Sequence, residues 1–323
     1  MKRILCLTFF VYAVSVAAGR TTVSIKNTQW QINGEITYPG TAAEGLLLNV
    51  RMVNSTFEDE KRTDFDPNEN TGRFISKIPE YNTYGVRAFT LNLQGGFPGY
   101  EGAVNSAFRP DGSLRTDYTG RIRRVIEECD KHGMIVILGL FYQRQDQILQ
   151  NEQAVKSGVV NAVNWVKESG FTNVVIEIAN EYNHGGFEHG IIKTAEGEVE
   201  LIRLAKKTMP GLLVSTSGLG HGRMDDLIAK EADFILIHFN GTGVKDIPER
   251  INALKKYNKP IVCNEDDKIG GEAVQALQAC VENGCSWGFM HKNLNQYQTF
   301  EFKGYNDDRK VYGKFKEVTT KQD

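Results

Sequence analysis

Short apolar runs recur along the chain, and between them apolar residues fall at helical spacing. The runs cover residues 46–53, 86–93, 134–140, 174–179, 212–215, 234–239, 260–264 and 285–290. Several, such as "VVIEIA" and "FILIHF", are apolar almost throughout. Strands of a parallel sheet are covered on both faces and read that way. Helical spacing appears at 74–81, 118–132, 152–169, 195–208, 224–230, 248–257 and 272–283. In "KHGM" and "ESGF" a glycine stands just past a helix and just before a strand, where a left-handed cap is expected. Eight such alternations predict a (β/α)8 barrel. An open doubly wound sheet is the other α/β arrangement. It calls for a glycine-rich phosphate turn after its first strand, whereas Val53 leads into "NSTFED". Ahead of the first strand, "VSIKNTQWQINGEITYP" alternates like a hairpin turning at Asn33-Gly34. It is expected to cap the bottom of the barrel.

Composition adds a compartment and removes some partners. The chain of 323 residues is 41% hydrophobic and 24% charged, an ordinary globular mixture. Lys2 and Arg3 precede an apolar stretch that ends in Val16-Ala17-Ala18. Residues 1–18 therefore predict a secretory signal peptide, leaving residues 19–323 as a single catalytic domain in a secreted or periplasmic protein. No later stretch is long and apolar enough to predict a membrane span. Without residues 1–18 the formal charge moves from −2 to −4, which gives no basis for a nucleic-acid partner. Cys129, Cys263, Cys280 and Cys285 have no zinc-ligand spacing; whether Cys280 and Cys285 pair is left open. Asn54-Ser-Thr and Asn240-Gly-Thr fit the glycosylation pattern, yet a glycan on Asn240 would block the expected cleft.

The chemistry lies at the strand ends. In a (β/α)8 barrel the reacting groups stand at the C-terminal ends of the strands. Strand four ends in Asn180-Glu181, and strand seven ends in Glu265. Two carboxyl groups facing one cleft are the apparatus of a glycosidase: one protonates the leaving oxygen, the other attacks the anomeric carbon or activates water. Spacing alone does not assign the two roles. His184 and His189 in "NHGGFEHG" lack helical i,i+4 spacing, so no metal site is expected.

"IEIANE" resembles the strand-four signature of the clan A retaining glycoside hydrolases, especially the cellulase-like glycoside hydrolase family 5. "KPIVCNE" is similar to the strand-seven ending of that family, "IHFN" to its strand six, "CSWGF" to its strand eight and "GVRAF" to its strand two. The resemblance implies Glu181 as acid/base, with a raised pKa, and Glu265 as nucleophile. It further implies Asn180 on the sugar 2-hydroxyl, His238 and Arg87 near the carboxylates, and Trp287 as a sugar platform. It implies a carbohydrate substrate and no cofactor. Three positions depart from the family pattern: Tyr182 follows Glu181, Asn240 stands where a tyrosine orients the nucleophile, and Phe141 replaces a histidine. Tyr142 and Arg144 after strand three are expected to face the sugar, as are Phe97, Tyr100 and Phe108 in the long loop after strand two. Arg144 with Lys292 would suit an anionic glycan. Glu177 is expected to pair with Arg51 or Arg87 inside the barrel, and Asp266 and Asp267 to solvate a loop. The other class of function is a non-catalytic carbohydrate-binding protein on the same barrel.

Overall fold

The computed structural model describes residues 20–59, 62–95, 105–291, 294 and 301–322. The expected signal peptide, Phe97, Tyr100 and Lys292 lie outside the described residues. The chain opens with β1 (Val23–Lys26), β2 (Gln29–Ile32) and β3 (Glu35–Ile36), an antiparallel unit. Its first turn uses Asn27, and its second uses Asn33 and Gly34, all at positive φ. The Asn-Gly pair favours that left-handed turn.

The barrel follows in the expected order. Its strands are β4 (Asn49–Arg51), β5 (Ala88–Asn92), β6 (Ile135–Tyr142), β7 (Val174–Asn180), β8 (Val214–Ser215), β9 (Ile235–His238) and β10 (Ile261–Glu265). The eighth position is split into β11 (Cys285–Ser286) and β12 (Gly288–Phe289). Between the strands run α1 (Pro67–Ile75), α2 (Ile78–Thr83), α3 (Thr116–Lys131), α4 (Glu152–Glu168), α5 (Gly190–Lys193), α6 (Ala195–Thr208), α7 (Asp226–Glu231), α8 (Ile247–Leu254) and α9 (Gly270–Glu282), with α10 (Arg309–Thr319) after the last strand. Local chemistry sets many of their ends. Asp66, Asn151, Thr194 and Asp308 accept backbone N–H bonds at helix starts. Gly133 and Gly170 follow α3 and α4 at positive φ, as "KHGM" and "ESGF" predicted.

All barrel pairings are parallel. They form two arcs, β12-β4-β5-β6-β7-β8 and β11-β10-β9. The split eighth strand joins them on one side, because β11 pairs with β10 while β12 pairs with β4. On the other side Ser217 bridges to Leu236, and the Ser215 hydroxyl donates to the Phe234 carbonyl.

The lumen has two layers. Toward the N-terminal ends, Ala88, Ile135, Ile137, Val175, Phe234, Leu236 and Val262 form an apolar cluster. Trp30 of the hairpin plugs it, its ring centre 5.2 Å from that of Phe234 in an edge-on arrangement. Toward the C-terminal ends the buried side chains become polar: Arg51, Thr90, Asn92, Glu177, His238 and Asn264. A larger apolar cluster packs the outer strand faces against the helices. Trp30→Ala would open a cavity under the barrel and is expected to cost about 3–5 kcal/mol of stability. Denaturant unfolding measures that loss.

Candidate active site

The polar layer gathers around Glu181 and Glu265. Glu265 ends β10 and is buried. Its Oε2 lies 3.0 Å from Arg51 Nε, and its Oε1 accepts a hydrogen bond from Asn240 Nδ2 at 2.7 Å. Glu181 stands just past β7 with φ +54°. That left-handed backbone is uncommon for a non-glycine residue and is held by its surroundings. Ser217 supplies the restraint: its hydroxyl accepts from the Glu181 N–H at 3.0 Å, and its carbonyl accepts from the Tyr182 N–H at 2.9 Å.

His238 joins the two acids. Its Nδ1 lies 3.3 Å from Glu181 Oε1 and 3.8 Å from Glu265 Oε2. One oxygen of each carboxylate and one ring nitrogen of His238 all lie within 4.8 Å of one another. Asn180 is held at both ends of its amide. Its Oδ1 accepts from Arg51 Nη2 at 2.7 Å, and its Nδ2 donates to Gln143 Oε1 at 3.0 Å. Arg51 also sits over the Tyr142 ring, 5.9 Å from its centre.

These charges tune one another. Burial pushes the His238 imidazole down, but attraction to Glu265 and the hydrogen bond with Glu181 outweigh it. The imidazole therefore holds its proton above the usual histidine value. Burial would raise Glu181, yet His238 beside it draws its carboxyl below the usual range. Glu265 lies above that range because burial exceeds the pull of His238 and Arg51. The raised acid expected at Glu181 is thus reversed: its carboxyl lies below the usual range because the His238 imidazole stands beside it. The trio of Glu181, His238 and Glu265 is also the candidate metal-ligand set among the described residues. The Arg51 guanidinium already supplies a cation beside Glu265.

Several sequence expectations change. Arg87 is a correction: it directly precedes β5, at the bottom of the barrel, with its guanidinium on Asn82 and over the Tyr38 ring. Arg51, not Arg87, stands beside Glu265. It is the register partner of Thr90, three residues farther along the chain than Arg87 and so near the opposite end of the strand. Trp287 is a second correction. It is fully buried, donates Nε1–H to Asp266 Oδ2 at 2.9 Å and stacks on Phe289, so no face is open to a sugar. Asp266 in turn is buried and ion-paired with Lys268 at 2.8 Å rather than solvated. Phe108 is buried against Phe141 and does not line a cleft.

Glu177 pairs with neither arginine through a direct contact. Its oxygens accept from Ser217 Oγ at 2.5 Å and Asn264 Nδ2 at 3.0 Å. Arg144 is exposed at the rim, its backbone N–H bonded to the Gly186 carbonyl. His189 is held by Asp146 at 2.8 Å. Asn54 is fully buried and Asn240 is bound to Glu265, so neither sequon offers a free amide. The four cysteines of the barrel are buried free thiols. Arg51, Gln143, Ser217 and Asn264 were missed as site residues. Arg51 had one signal, a lone charge inside an apolar run; Ser217 had none.

No protein-family model matches the chain, and no curated protein matches it. Solved structures do. A candidate glycoside hydrolase from Bacteroides vulgatus superposes with TM-score 0.64 at 13% identity, over 92% of this chain and 60% of that one. This chain therefore spans about three fifths of that protein's length. A GH5-4 broad specificity endoglucanase from Clostridium longisporum gives 0.60 at 10% identity, over 85% and 96% of the two chains. An endo-1,4-beta-mannanase from Eisenia fetida gives 0.60 at 10% identity, over 94% and 96%. At these identities the likeness is one of fold, and the fold is the barrel of the glycoside hydrolases. Replacing Arg51 with Met is expected to leave Glu265 buried without its cation, destabilise the protein by about 3–5 kcal/mol and raise the Glu265 pKa further. Unfolding curves and a pH titration of the variant measure both effects.

Proposed function

We propose that the chain is a secreted retaining glycoside hydrolase that cleaves β-glycosidic bonds in an oligo- or polysaccharide. The observation that carries this reading is the short span between the two acids, with one oxygen of each within 4.8 Å. Retaining enzymes hold their carboxyl groups ~5–5.5 Å apart, whereas inverting enzymes leave ~6.5–9.5 Å for a water molecule. The asymmetry of the surroundings supports the division of roles. Glu265 is clamped by Arg51 and Asn240, which fixes its oxygens, and Arg51 offsets part of the burial that raises its carboxyl. Glu181 is bound through His238, a group able to exchange a proton with it.

In the first step a Glu265 oxygen attacks the anomeric carbon. The glycosidic C–O bond breaks, and the leaving oxygen takes a proton from Glu181. That proton reaches Glu181 from the His238 imidazolium. In the second step Glu181 removes a proton from water as the water attacks the anomeric carbon, and the Glu265 ester bond breaks. Asn180, fixed by Arg51 and Gln143, is placed to bind the sugar 2-hydroxyl. Tyr142 and Arg144 border the same cleft. The neighbours described as an endoglucanase and a mannanase support a β-linked glycan as substrate class. Among the described residues no helix is long and apolar enough to cross a membrane. Residues 1–18 are proposed to direct export, and the remainder to form one catalytic domain.

Activated 2-deoxy-2-fluoro glycosides of several sugars, followed by peptide mapping, test the mechanism. A glycosyl adduct on Glu265 is expected. Glu181→Ala is expected to slow hydrolysis by about 10²–10⁴, with partial rescue by azide. Binding without turnover, unchanged in Glu265→Gln, would replace this reading with that of a carbohydrate-binding protein. The pH profile of kcat/KM is expected to be bell-shaped. Its acid limb should lie above the usual carboxylate value, because Glu265 is raised and is protonated as pH falls. Its basic limb should lie above the usual histidine value, because His238 is raised and releases the working proton as pH rises.

A further inference from the structure

The two acids stand on irregular backbone. Glu181 follows β7 at φ +54°, a left-handed conformation that a residue with a Cβ keeps only when its surroundings hold it. β10 is irregular one residue before Glu265. Cys263 pairs with Ile237 and Glu265 with His238, so Asn264 is the extra residue of a β-bulge. A bulge re-aims the side chains beside it, and bulges recur next to active sites for that reason. Both irregular points are tied to one side chain, Glu177, which the proposed chemistry does not use.

Glu177 belongs to β7 and is fully buried. A carboxylate only accepts hydrogen bonds, so its neighbours must supply the protons. Ser217 has one hydroxyl proton and gives it to Glu177 Oε1 at 2.5 Å. That leaves the Ser217 lone pairs to accept from the Glu181 N–H at 3.0 Å. The other acceptor within reach of this hydroxyl, the Ala179 carbonyl, lies farther off at 3.4 Å. The second oxygen of Glu177, Oε2, accepts from Asn264 Nδ2 at 3.0 Å. Asn264 Oδ1 is buried with no hydrogen-bond partner among the described residues, so the amide is held on the Glu177 side. One side chain thus joins β7 to the bulge of β10, three barrel strands away. His238 lies between, with Nε2 3.9 Å from Glu177 Oε1 and Nδ1 3.3 Å from Glu181 Oε1.

We propose that Glu177 is a positioning residue for both acids: through Ser217 it sets the backbone of Glu181, and through Asn264 it sets the bulge that aims Glu265. The proposal rests on the glycosidase reading and adds to it a residue that touches neither substrate nor reacting atoms. A misplacement of about 1 Å is enough to cost about a hundredfold in rate. With one anchor for both tethers, the separation of the two carboxyl groups is set by a single buried side chain rather than by two independent loops.

The two steps of the reaction test the two tethers separately. The probes are 2,4-dinitrophenyl 2-deoxy-2-fluoro β-glycosides of glucose, cellobiose, mannose and mannobiose, whose leaving group departs without help from an acid. The rate constant of inactivation reports attack by Glu265. The rate constant for recovery of activity in buffer reports Glu181 acting as base on water. Ser217→Ala is expected to slow recovery by about tenfold to a hundredfold and inactivation far less. Asn264→Ala is expected to show the reverse. Glu177→Ala is expected to slow both steps, with the half-saturating probe concentration changed by less than about threefold, because no contact to the sugar is removed. In the recovery step the losses from Glu177→Ala and Ser217→Ala are expected to be non-additive, since each breaks the same link. Glu177→Gln keeps an acceptor oxygen for Asn264 but sets an –NH2 against Ser217 Oγ, so it is expected to restore inactivation more than recovery.

Unfolding curves identify the variants that fold. If Glu177→Ala does not, Glu177→Gln and the two tether variants decide the outcome by the same division between steps. Tether variants that slow the same step, additive losses in the recovery step, or an effect confined to half-saturation overturns the proposal. A wild-type adduct on Glu265 without this division sinks the positioning role alone. Folded wild-type protein that forms no adduct with any of the four probes sinks the glycosidase reading and this role with it.

Discussion

Three carboxylates share the upper lumen of the barrel: Glu177, Glu181 and Glu265. Charges in such a place are tolerated only when paired or hydrogen-bonded. Arg51 supplies the fixed countercharge and His238 the titratable one. Most of the surrounding architecture serves that balance. Ser217 and Asn264 satisfy Glu177, Asn240 holds the second oxygen of Glu265, and Gln143 holds the far side of Asn180. Losing one member leaves another buried and unsatisfied, so the cluster behaves as a unit.

The barrel separates stability from chemistry along its axis. The lower lumen is apolar and closed by Trp30, so its packing holds the strands in register. The upper lumen gives up apolar burial for polar groups. Behind Glu265, Asp266, Lys268 and Trp287 form a second buried polar lock. It fixes the loop immediately after Glu265, and it explains why a tryptophan that resembles a sugar platform has turned inward.

The eight strands, their helices and their glycine stops were legible because each is a local pattern. Burial on both faces imposes apolar runs, and a left-handed helix end selects glycine. Asn180, Glu181, Glu265 and His238 were legible because strand ends are marked by the change from apolar to polar. Arg87 and Trp287 were misread because residue type and strand number do not state height along the strand or the face presented. Arg87 precedes its strand, so it lies at the wrong end of the barrel for the site. The needed guanidinium comes instead from Arg51, through a register pairing with Thr90 that links residues 39 positions apart.

By itself the sequence determined the class of fold, the order of its elements and the pair of carboxylates at two strand ends. These follow from periodicity, which records only whether a position is buried. The tertiary structure alone decided that Arg51 is the cation that meets Glu265, that Asn240 donates to its other oxygen, and that His238 lies between the two acids. Each of these depends on distances between residues far apart in the chain, and electrostatic energy is set by distance and burial rather than by sequence order.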